Sequence, residues 1–318
     1  MAELNLGRIG VLMGGPSMER EISLKSGHAV YEALVGMGVE AILIDIKTDG
    51  VEENIELLKS HKISCAFLAL HGSFGEDGQI QEILENIKIP YTGSAARASR
   101  LAMDKVASRK IFSAAGLSVP DYEVLERDSF GPGWEYRSNL GLPLVVKPAS
   151  NGSSIGLSIV DKKEEIKKAV QLALGFDERA ILERYIPSRE LTVGIVEEEA
   201  LAVIEIIPKK RFFDYEAKYQ IGMTEYVVPA ELEEGISKKV QGVALKAHNL
   251  LGCFGCSRVD ILLDERGIPF VLELNSIPGF TPTSLLPKSA RVAGIDFVQL
   301  CLKLIQLAYE RTQVSVSH

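Results

Sequence analysis

The first third of the chain alternates between short apolar runs and segments in which apolar residues recur at helical spacing. The runs predict buried strands and the spaced segments predict helices, in the order 8–12 (strand), 22–34 (helix), 41–46 (strand), 51–59 (helix) and 65–70 (strand). Strands that alternate with helices favour right-handed crossovers and a parallel sheet. After Pro90 and Gly93, a long helix is predicted over residues 94–115.

The middle third has a different pattern, in which two strands are joined by a turn of small residues. Strands are predicted over 142–147, 157–160 and 180–186, and an amphipathic helix over 161–174 that Asp161 could cap. This order is typical of a compact α+β module.

The last third predicts a second sheet with helices packed beside it. Predicted strands and helices lie at 191–196, 201–207, 226–228, 232–250 (helix), 259–263, 270–274 and 297–309 (helix). Strands 259–263 and 270–274 can pair across the turn at 264–267. The three zones predict an N-terminal α/β domain over 1–100, a central module over 101–186 and a C-terminal domain over 187–318.

Composition excludes several classes of protein. The 318 residues include 35 basic and 43 acidic side chains, and the net charge of −8 disfavours a protein that binds nucleic-acid phosphates. No apolar run approaches the ~20 residues of a membrane helix, and the N-terminus lacks a signal-peptide layout. Four scattered cysteines favour a reducing, cytoplasmic setting. Cys253 and Cys256 have no second pair for a metal site, and are interpreted as buried small hydrophobes.

The segment from Gly152 to Gly156 is the first candidate for chemistry. It fits the hydrolase pattern G-x-S-x-G on Ser154, but that pattern requires a helix after the turn and a strand is predicted here. Glycines and hydroxyls could instead wrap phosphate oxygens. An ordinary hairpin turn is the third interpretation. The chain has neither a P-loop nor a G-x-G-x-x-G motif.

Oxygen-bearing and cationic side chains suggest a phosphate and metal site. Asp260 is on one predicted strand, and Glu273 and Asn275 share a face of the next. If the strands pair, their oxygens could bind Mg²⁺; the alternative is solvated polar residues at strand ends. Lys105 and Lys147 could contact phosphates as mobile charges.

Three further segments are weaker candidates. Glu183 to Ile186, with Glu190, could bind an adenine edge and ribose hydroxyls. The aromatic and charged stretch 209–220 has no clear period, so a functional lid at about 209–224 is expected. The loop 14–21 and the segment that begins at His71 follow strands at one sheet edge, where small amino acids or anions could bind.

Together these motifs resemble the D-alanine–D-alanine ligases of the ATP-grasp superfamily over almost the whole chain. The matching segments are 14–23, 70–72, 75–78, 90–94, 103–105, 146–148, 152–156, 214–219, 258–260 and 273–281. The resemblance implies a three-domain fold that holds ATP between two β-sheets. It also implies that ATP and two D-alanines give D-alanyl-D-alanine, ADP and phosphate, for peptidoglycan synthesis.

The resemblance assigns an ATP site and a metal site. It implies that ATP is bound by Lys105, Lys147, Ser153, Ser154, Glu183, Arg184, Tyr185, Ile186, Glu190, Phe212, Lys218 and Asn275. It implies two Mg²⁺ or Mn²⁺ ions on Asp260, Glu273 and Asn275. Arg184 stands where a lysine is common, and Ser276 stands where a threonine is more usual.

The resemblance also assigns the amino-acid subsites. Glu19 would bind the first ammonium near His71, while Ser284 and Leu285 would bind the second carboxylate. Lys218 and Arg258 would neutralise charge as the first carboxylate attacks the γ-phosphoryl group. Arg258 and the Gly279 N–H would stabilise the later oxyanion. Glu19, Ser153 and Tyr219 would form a hydrogen-bonded trio that couples lid closure to assembly of the site.

Other functions remain open at this stage. Tyr219 resembles the dipeptide-forming type, but D-lactate or D-serine as the acceptor is the near alternative. A nucleotide-binding regulator without activity would have lost the metal ligands, which are present here. A homodimer is expected from the habit of the family.

Overall fold

The framework consists of one parallel and two antiparallel sheets. A computed structural model describes residues 6–152, 154–209 and 223–316, with side chains as far as residue 312. The elements of the first unit are β1 (Ile9–Gly14), α1 (Arg20–Gly36), β2 (Ala41–Ile46), α2 (Val51–His61), β3 (Cys65–Leu68) and α3 (Gln79–Asn86). The sheet has the order β2-β1-β3 with parallel pairing, which confirms the predicted sheet type. Every residue of β1 is buried, as expected for the central strand of a sheet covered on both faces.

The helix predicted over 94–115 is wrong as a single element, because the chain breaks at Asp104. Two helices, α4 (Ala96–Met103) and α5 (Lys105–Ala114), flank this residue. Asp104 is extended (φ −81°, ψ 98°), and its Oδ1 accepts the N–H groups of Val106 and Ala107 at 2.9 and 3.0 Å. This N-cap starts a new helix at Lys105.

The central sheet lies between the other two units in sequence. Its elements are β4 (Tyr122–Glu126), β5 (Leu144–Pro148), β6 (Ser158–Val160), α6 (Ile166–Leu174) and β7 (Arg179–Arg184). The antiparallel order is β4-β7-β5-β6, and β4 was not predicted. Asp161 does not cap α6, because a 3₁₀ turn at Lys163–Glu165 precedes the helix, which begins at Ile166.

The third unit is a larger antiparallel sheet. Its elements are β8 (Ser188–Val196), β9 (Glu199–Pro208), β10 (Thr224–Val227), α7 (Glu234–Leu251), β11 (Cys256–Asp264), β12 (Pro269–Asn275), α8 (Leu285–Val292) and α9 (Phe297–Val316). The strand order is β10-β9-β8-β11-β12. As predicted, β11 and β12 pair directly.

The C-terminal helix returns to the N-terminal sheet. Phe280 packs edge-on against Phe67 of β3, with ring centroids 5.3 Å apart, and the Tyr309 hydroxyl donates to the Leu6 carbonyl. The first and third units therefore share one apolar core, and the segment between β12 and α8 crosses their junction. The division at residues 100 and 186 stays a prediction.

The cysteines form no disulfide. All four cysteines are free thiols; three are buried and Cys253 is half-buried, and burial raises the pKa of Cys65 to about 12. Among the described residues, no single helix is long and apolar enough to span a membrane. One bent pair, Leu285–Val292 with Phe297–Thr312, meets the length and composition criteria only when taken together.

Candidate active site

Two cavities meet in the cleft between the sheets. One, of about 330 Å³, lies toward the N-terminal unit, and the other, of about 160 Å³, lies between the central and C-terminal sheets. We call them the substrate cavity and the nucleotide cavity. Lys105 and Glu273 line both. The two side chains therefore mark the point where groups bound in the two cavities would meet.

The strand pair β11–β12 brings the predicted metal ligands together. Asp260 lies directly opposite Glu273, and Arg258 lies opposite Asn275. Because side chains alternate along a strand, all four share one face of the sheet. Asp260 accepts a hydrogen bond from Thr192 Oγ1 at 2.6 Å, which fixes its carboxylate.

The donor set of this pair fits a divalent cation such as Mg²⁺. Two carboxylates and the amide oxygen of Asn275 are hard oxygen ligands, and they leave positions for water and phosphate. In the described part of the chain, no group of three or more His, Cys, Asp or Glu side chains is arranged to hold a metal. The predicted set differs from such a group because its third member is an amide.

Lys105 and Lys147 enter the cleft from opposite elements. At the start of α5, Lys105 Nζ donates to the Asn151 carbonyl at 2.8 Å and lies 3.2 Å from Glu273 Oε2. Lys147 Nζ, on β5, donates to Glu183 Oε1 on β7 at 2.9 Å. Burial lowers the pKa of Lys147 to about 8, against the raising effect of the Glu183 charge. Burial acts to raise the pKa of Glu183, but Arg109 and Lys147 outweigh it, so the pKa is lowered.

The nucleotide cavity contains most of the predicted adenine and ribose residues. Its lining includes Ser154, Glu183, Arg184, Tyr185, Ile186 and Glu190. The guanidinium of Arg184, however, is half-exposed and pairs with Asp121 at 2.9 Å, so this side chain points to the surface. Ser154 has a φ of +56° in a loop that is followed by β6. A strand after this loop does not provide the turn-to-helix geometry that a hydrolase elbow requires.

Glu19 is buried at the rim of the substrate cavity between two glycines. A Cβ atom at Gly72 would lie 2.8 Å from Glu19 Oε2, and one at Gly152 would lie 2.9 Å away. Only glycine leaves room for the carboxylate at both positions. The N-terminal loop, the segment after β3 and the small-residue loop therefore converge on one acidic group.

A buried chain of polar groups runs behind Glu19, and the sequence predicted only part of it. His71 Nδ1 lies 3.3 Å from Glu76 Oε1, and its Nε2 lies 3.0 Å from Ser26 Oγ. Burial raises the pKa of Glu76, opposed by its contact with His71. Neither Glu76 nor Ser26 was predicted as a site residue, although Glu76 lies in the matching segment 75–78.

The opposite wall of the substrate cavity is the segment before α8. Gly279, Ser284 and Leu285 all line it, as do Arg258 and Tyr226. Ser284 Oγ accepts the Thr281 N–H at 3.0 Å and lies 2.8 Å from Thr281 Oγ1. The segment thus presents a hydroxyl and the first backbone N–H groups of a helix, which suit a carboxylate. Tyr226 was not predicted as a site residue.

Four predicted site residues lie outside the described residues. They are Ser153, Phe212, Lys218 and Tyr219. Their assigned roles stay predictions from the sequence. The lid at about 209–224 also stays a prediction, because residues 210–222 lie outside the described residues.

Because the resemblance assigns Glu19 to the ammonium of the first amino-acid substrate, replacement of Gly152 by alanine is expected to raise the KM for that substrate roughly tenfold, as the carboxylate would be displaced. The new Cβ would lie 2.9 Å from Glu19 Oε2, so the end of that flexible side chain must move while the backbone stays. Steady-state kinetics with varied substrate measure the effect.

Gly242→Ala is the matched control for this variant. Gly242 lies within α7, and apart from the adjacent backbone of its own helix no atom lies within 4 Å of its Cβ position. Alanine there should stabilise the helix by about 0.5–1 kcal/mol and leave the KM unchanged. An unchanged KM in Gly152→Ala as well would show that the position of Glu19 is unimportant.

The paired cavities and the two facing sheets define an ATP-grasp ligase fold. Sequence models described as the D-ala D-ala ligase N-terminus and C-terminus match residues 51–94 and 111–306. D-alanine–D-alanine ligases from Geotalea uraniireducens and Trichlorobacter lovleyi are 45% and 46% identical to this chain. The first alignment covers 96% of the chain and 97% of the relative, and the second covers 94% of each. The chain belongs to the D-alanine–D-alanine ligase family.

Solved structures agree with this membership. The D-alanine–D-alanine ligase from Bacillus anthracis complexed with ATP has a TM-score of 0.84 at 33% identity, and the match covers 97% of this chain and 99% of that one. The ligase from Coxiella burnetii has a TM-score of 0.81 at 26% identity, with 98% and 96% covered. The fold class predicted from the sequence is therefore confirmed.

Proposed function

We propose that this chain uses ATP to join two D-alanine molecules into D-alanyl-D-alanine, with ADP and phosphate as the other products. The relatives that match almost the full chain have this name, and one solved relative is complexed with ATP. The observation that supports the proposal best is the junction of the two cavities at Lys105 and Glu273. A reaction that moves a phosphoryl group from a nucleotide to a carboxylate needs such a junction.

The nucleotide cavity takes ATP with its base toward Glu183 and its phosphates toward Lys105. Lys105 and Lys147 supply positive charge near the phosphates, and the loop that contains Ser153 and Ser154 covers them. Asp260, Glu273 and Asn275 would hold the divalent ions, two Mg²⁺ or Mn²⁺. When bound, the ions neutralise charge on the phosphates and on the developing transition state.

The substrate cavity takes the two D-alanines. The Glu19 carboxylate binds the ammonium of the first D-alanine, with His71 nearby. The carboxylate of the same D-alanine takes the γ-phosphoryl group of ATP, which gives an acyl phosphate and ADP. The neutral amine of the second D-alanine then attacks the acyl carbon, and phosphate leaves. Arg258 and the Gly279 N–H stabilise the oxyanion, while Ser284 and the Leu285 N–H hold the second carboxylate. Closure over the site protects the acyl phosphate from water.

The experiment that tests this function is phosphate release from ATP with Mg²⁺. We expect release with D-alanine and formation of the dipeptide, and little release with L-alanine. D-lactate or D-serine as second substrate tests the alternative acceptors, and a preference for either would overturn the assignment to dipeptide synthesis. Without any D-alanine-dependent release, the proposed function fails.

The setting of the enzyme follows from its proposed reaction. The dipeptide supplies peptidoglycan synthesis, and ATP and D-alanine would be met in the cytoplasm. A homodimer is our expectation for its assembly, with no nucleic acid or membrane as partner. Light scattering of the purified chain measures the assembly directly.

Nucleotide binding is expected to weaken as the pH rises through about 8, because Lys147 then loses its proton. Below this pH the ammonium is charged and contributes fully to nucleotide affinity. Above this pH that contribution to the affinity is lost. The charged groups that face Lys147 are Glu183 on β7, Arg109 on α5 and Glu273 on β12. We expect ADP to bind roughly tenfold more weakly at pH 9.5 than at pH 7.

Equilibrium titration with ADP isolates this effect from ionisation of the amino-acid substrate. Lys147→Arg is the control, because a guanidinium keeps its charge over this range. Its affinity for ADP should stay flat between pH 7 and 9.5. The same pH dependence in both proteins would rule out Lys147 as its source.

A further inference from the structure

Arg109 lies between the two sheets that enclose the nucleotide cavity, and none of the roles described above belongs to it. It is the largest fully buried side chain among the described residues, with 0% exposure. It follows Lys105 by one turn of α5, so both side chains project from the same face of the helix. A fully buried guanidinium requires partners, because burial of an unpaired charge is costly.

The partners of Arg109 lie on both sheets. Toward the C-terminal sheet, its Nε and Nη2 donate to the Leu272 carbonyl on β12 at 3.4 and 3.2 Å. Toward the central sheet, its Nη1 lies 2.6 Å from Glu183 Oε2 on β7, and its guanidinium carbon lies 5.3 Å from the centre of the Tyr122 ring on β4. One side chain therefore connects Leu272, the residue that precedes Glu273 on β12, with the carboxylate of Glu183.

The two oxygens of Glu183 differ in their hydrogen bonding. Oε1 accepts the hydrogen bond of Lys147. Oε2 is buried and accepts no hydrogen bond from the described residues, although Arg109 Nη1 lies beside it as an ion-pair partner. Its charge is thus compensated by the ion pair, and the Glu183 side chain lines the nucleotide cavity, where a ligand can contact it.

We propose that Arg109 is a positioning residue that fixes Glu183 relative to β12, and thereby sets the affinity for ATP and the preference for its base. The exocyclic amine of adenine can donate to the Glu183 carboxylate, whereas the oxo group at the same place in guanine would face the carboxylate as a second acceptor. A site built for a donor rejects an analogue that lacks one, because the buried acceptor is then unpaired. The inference rests on the proposed function, in which ATP occupies this cavity.

Arg109→Met and Arg109→Lys test the inference. For Arg109→Met we expect the KM for ATP to rise roughly tenfold, as for loss of a hydrogen bond to a charged group, with the KM values for D-alanine unchanged. The ratio of kcat/KM for ATP to that for GTP should fall, because only the adenine contact depends on the orientation of Glu183. Arg109→Lys keeps the charge but cannot reach both sheets, so its defect should be intermediate.

Lys110→Met is the matched control, because Lys110 is the next residue on the same helix and is exposed. It should leave every kinetic constant unchanged. An equal rise in the KM values for ATP, GTP and D-alanine would overturn the inference, as would an unchanged ratio of ATP to GTP. If thermal unfolding shows that neither Arg109 variant folds, the residue is structural and the inference fails. Turnover by the wild type tests the proposed function separately.

Discussion

Glu273→Gln is expected to lower kcat by about 10²–10³-fold, or about 3–4 kcal/mol, with little change in thermal stability. The carboxylate faces Asp260 across the strand pair, lies 3.2 Å from Lys105 Nζ, and lines both cavities. Glutamine keeps the shape of the side chain but removes the charge that a divalent ion and Lys105 would share. Phosphate release at saturating ATP and D-alanine measures the loss, and a shift of the Mg²⁺ dependence to higher concentration accompanies it.

Glu265→Gln provides the control for this variant. Glu265 lies in the turn between β11 and β12, close in sequence but exposed. Its replacement should leave kcat and the Mg²⁺ dependence unchanged. A folded Glu273→Gln enzyme with full turnover would contradict both the metal assignment and the proposed meeting point of the two cavities.

The pairing of β11 with β12, which supports this prediction, could be predicted from the sequence. Once β11 and β12 are recognised as neighbours, the two-residue period places Asp260, Glu273 and Asn275 on one face. The register in the structure has Asp260 opposite Glu273. In the N-terminal unit, the strand predicted over 41–46 is confirmed at both ends as Ala41–Ile46, although it is an edge strand in which only Ile44 and Ile46 are buried and Asp45 interrupts the apolar run.

Short elements were harder to predict, since their stability comes from packing more than from their own sequence. The eight-residue helices α3 and α8 were both missed. Ile80, Ile83 and Leu84 of α3 are buried against the N-terminal core, and their i, i+3, i+4 spacing is a helical signal that was not used. β4 begins with an alternating pattern, Tyr-Glu-Val, but Leu125 and Glu126 break the period of two, so its local signal is weak.

Long-range polar contacts had no local signal at all. Arg109 and Leu272 are 163 residues apart in sequence, and the first lies on a helix that was predicted to continue through Asp104. Motifs identify side chains that would touch a ligand, whereas a group behind them, such as Arg109, is defined by the tertiary fold. A residue within a motif can also fail to face the ligand site. The side chain of Arg184 is an example, because it points to the surface.

Arg258→Lys is expected to reduce kcat by about 10²–10³-fold, more than it raises the KM for ATP, because it removes a fixed donor at the reacting carbonyl. The Arg258 Nε and Nη2 donate to the two carboxylate oxygens of Asp260, each at 2.9 Å. Arg258 lines the substrate cavity and Asp260 the nucleotide cavity, so this pair forms part of the wall between them. A lysine ammonium cannot reproduce the planar fork, and its position beside the acyl group would not be fixed.

The control for Arg258→Lys is the same substitution in a similar pair outside the cleft. Arg266, which is exposed, donates through Nε to Oδ2 of Asp264 at the end of β11, at 3.0 Å. Because this pair lies outside both cavities and an ion pair with an exposed arginine contributes little, Arg266→Lys should retain full turnover. Steady-state assays of both variants with ATP and D-alanine give the comparison. Equal kcat values for Arg258→Lys and the wild type would show that the oxyanion is stabilised by other groups, and the backbone N–H of Gly279 would then be the first to examine.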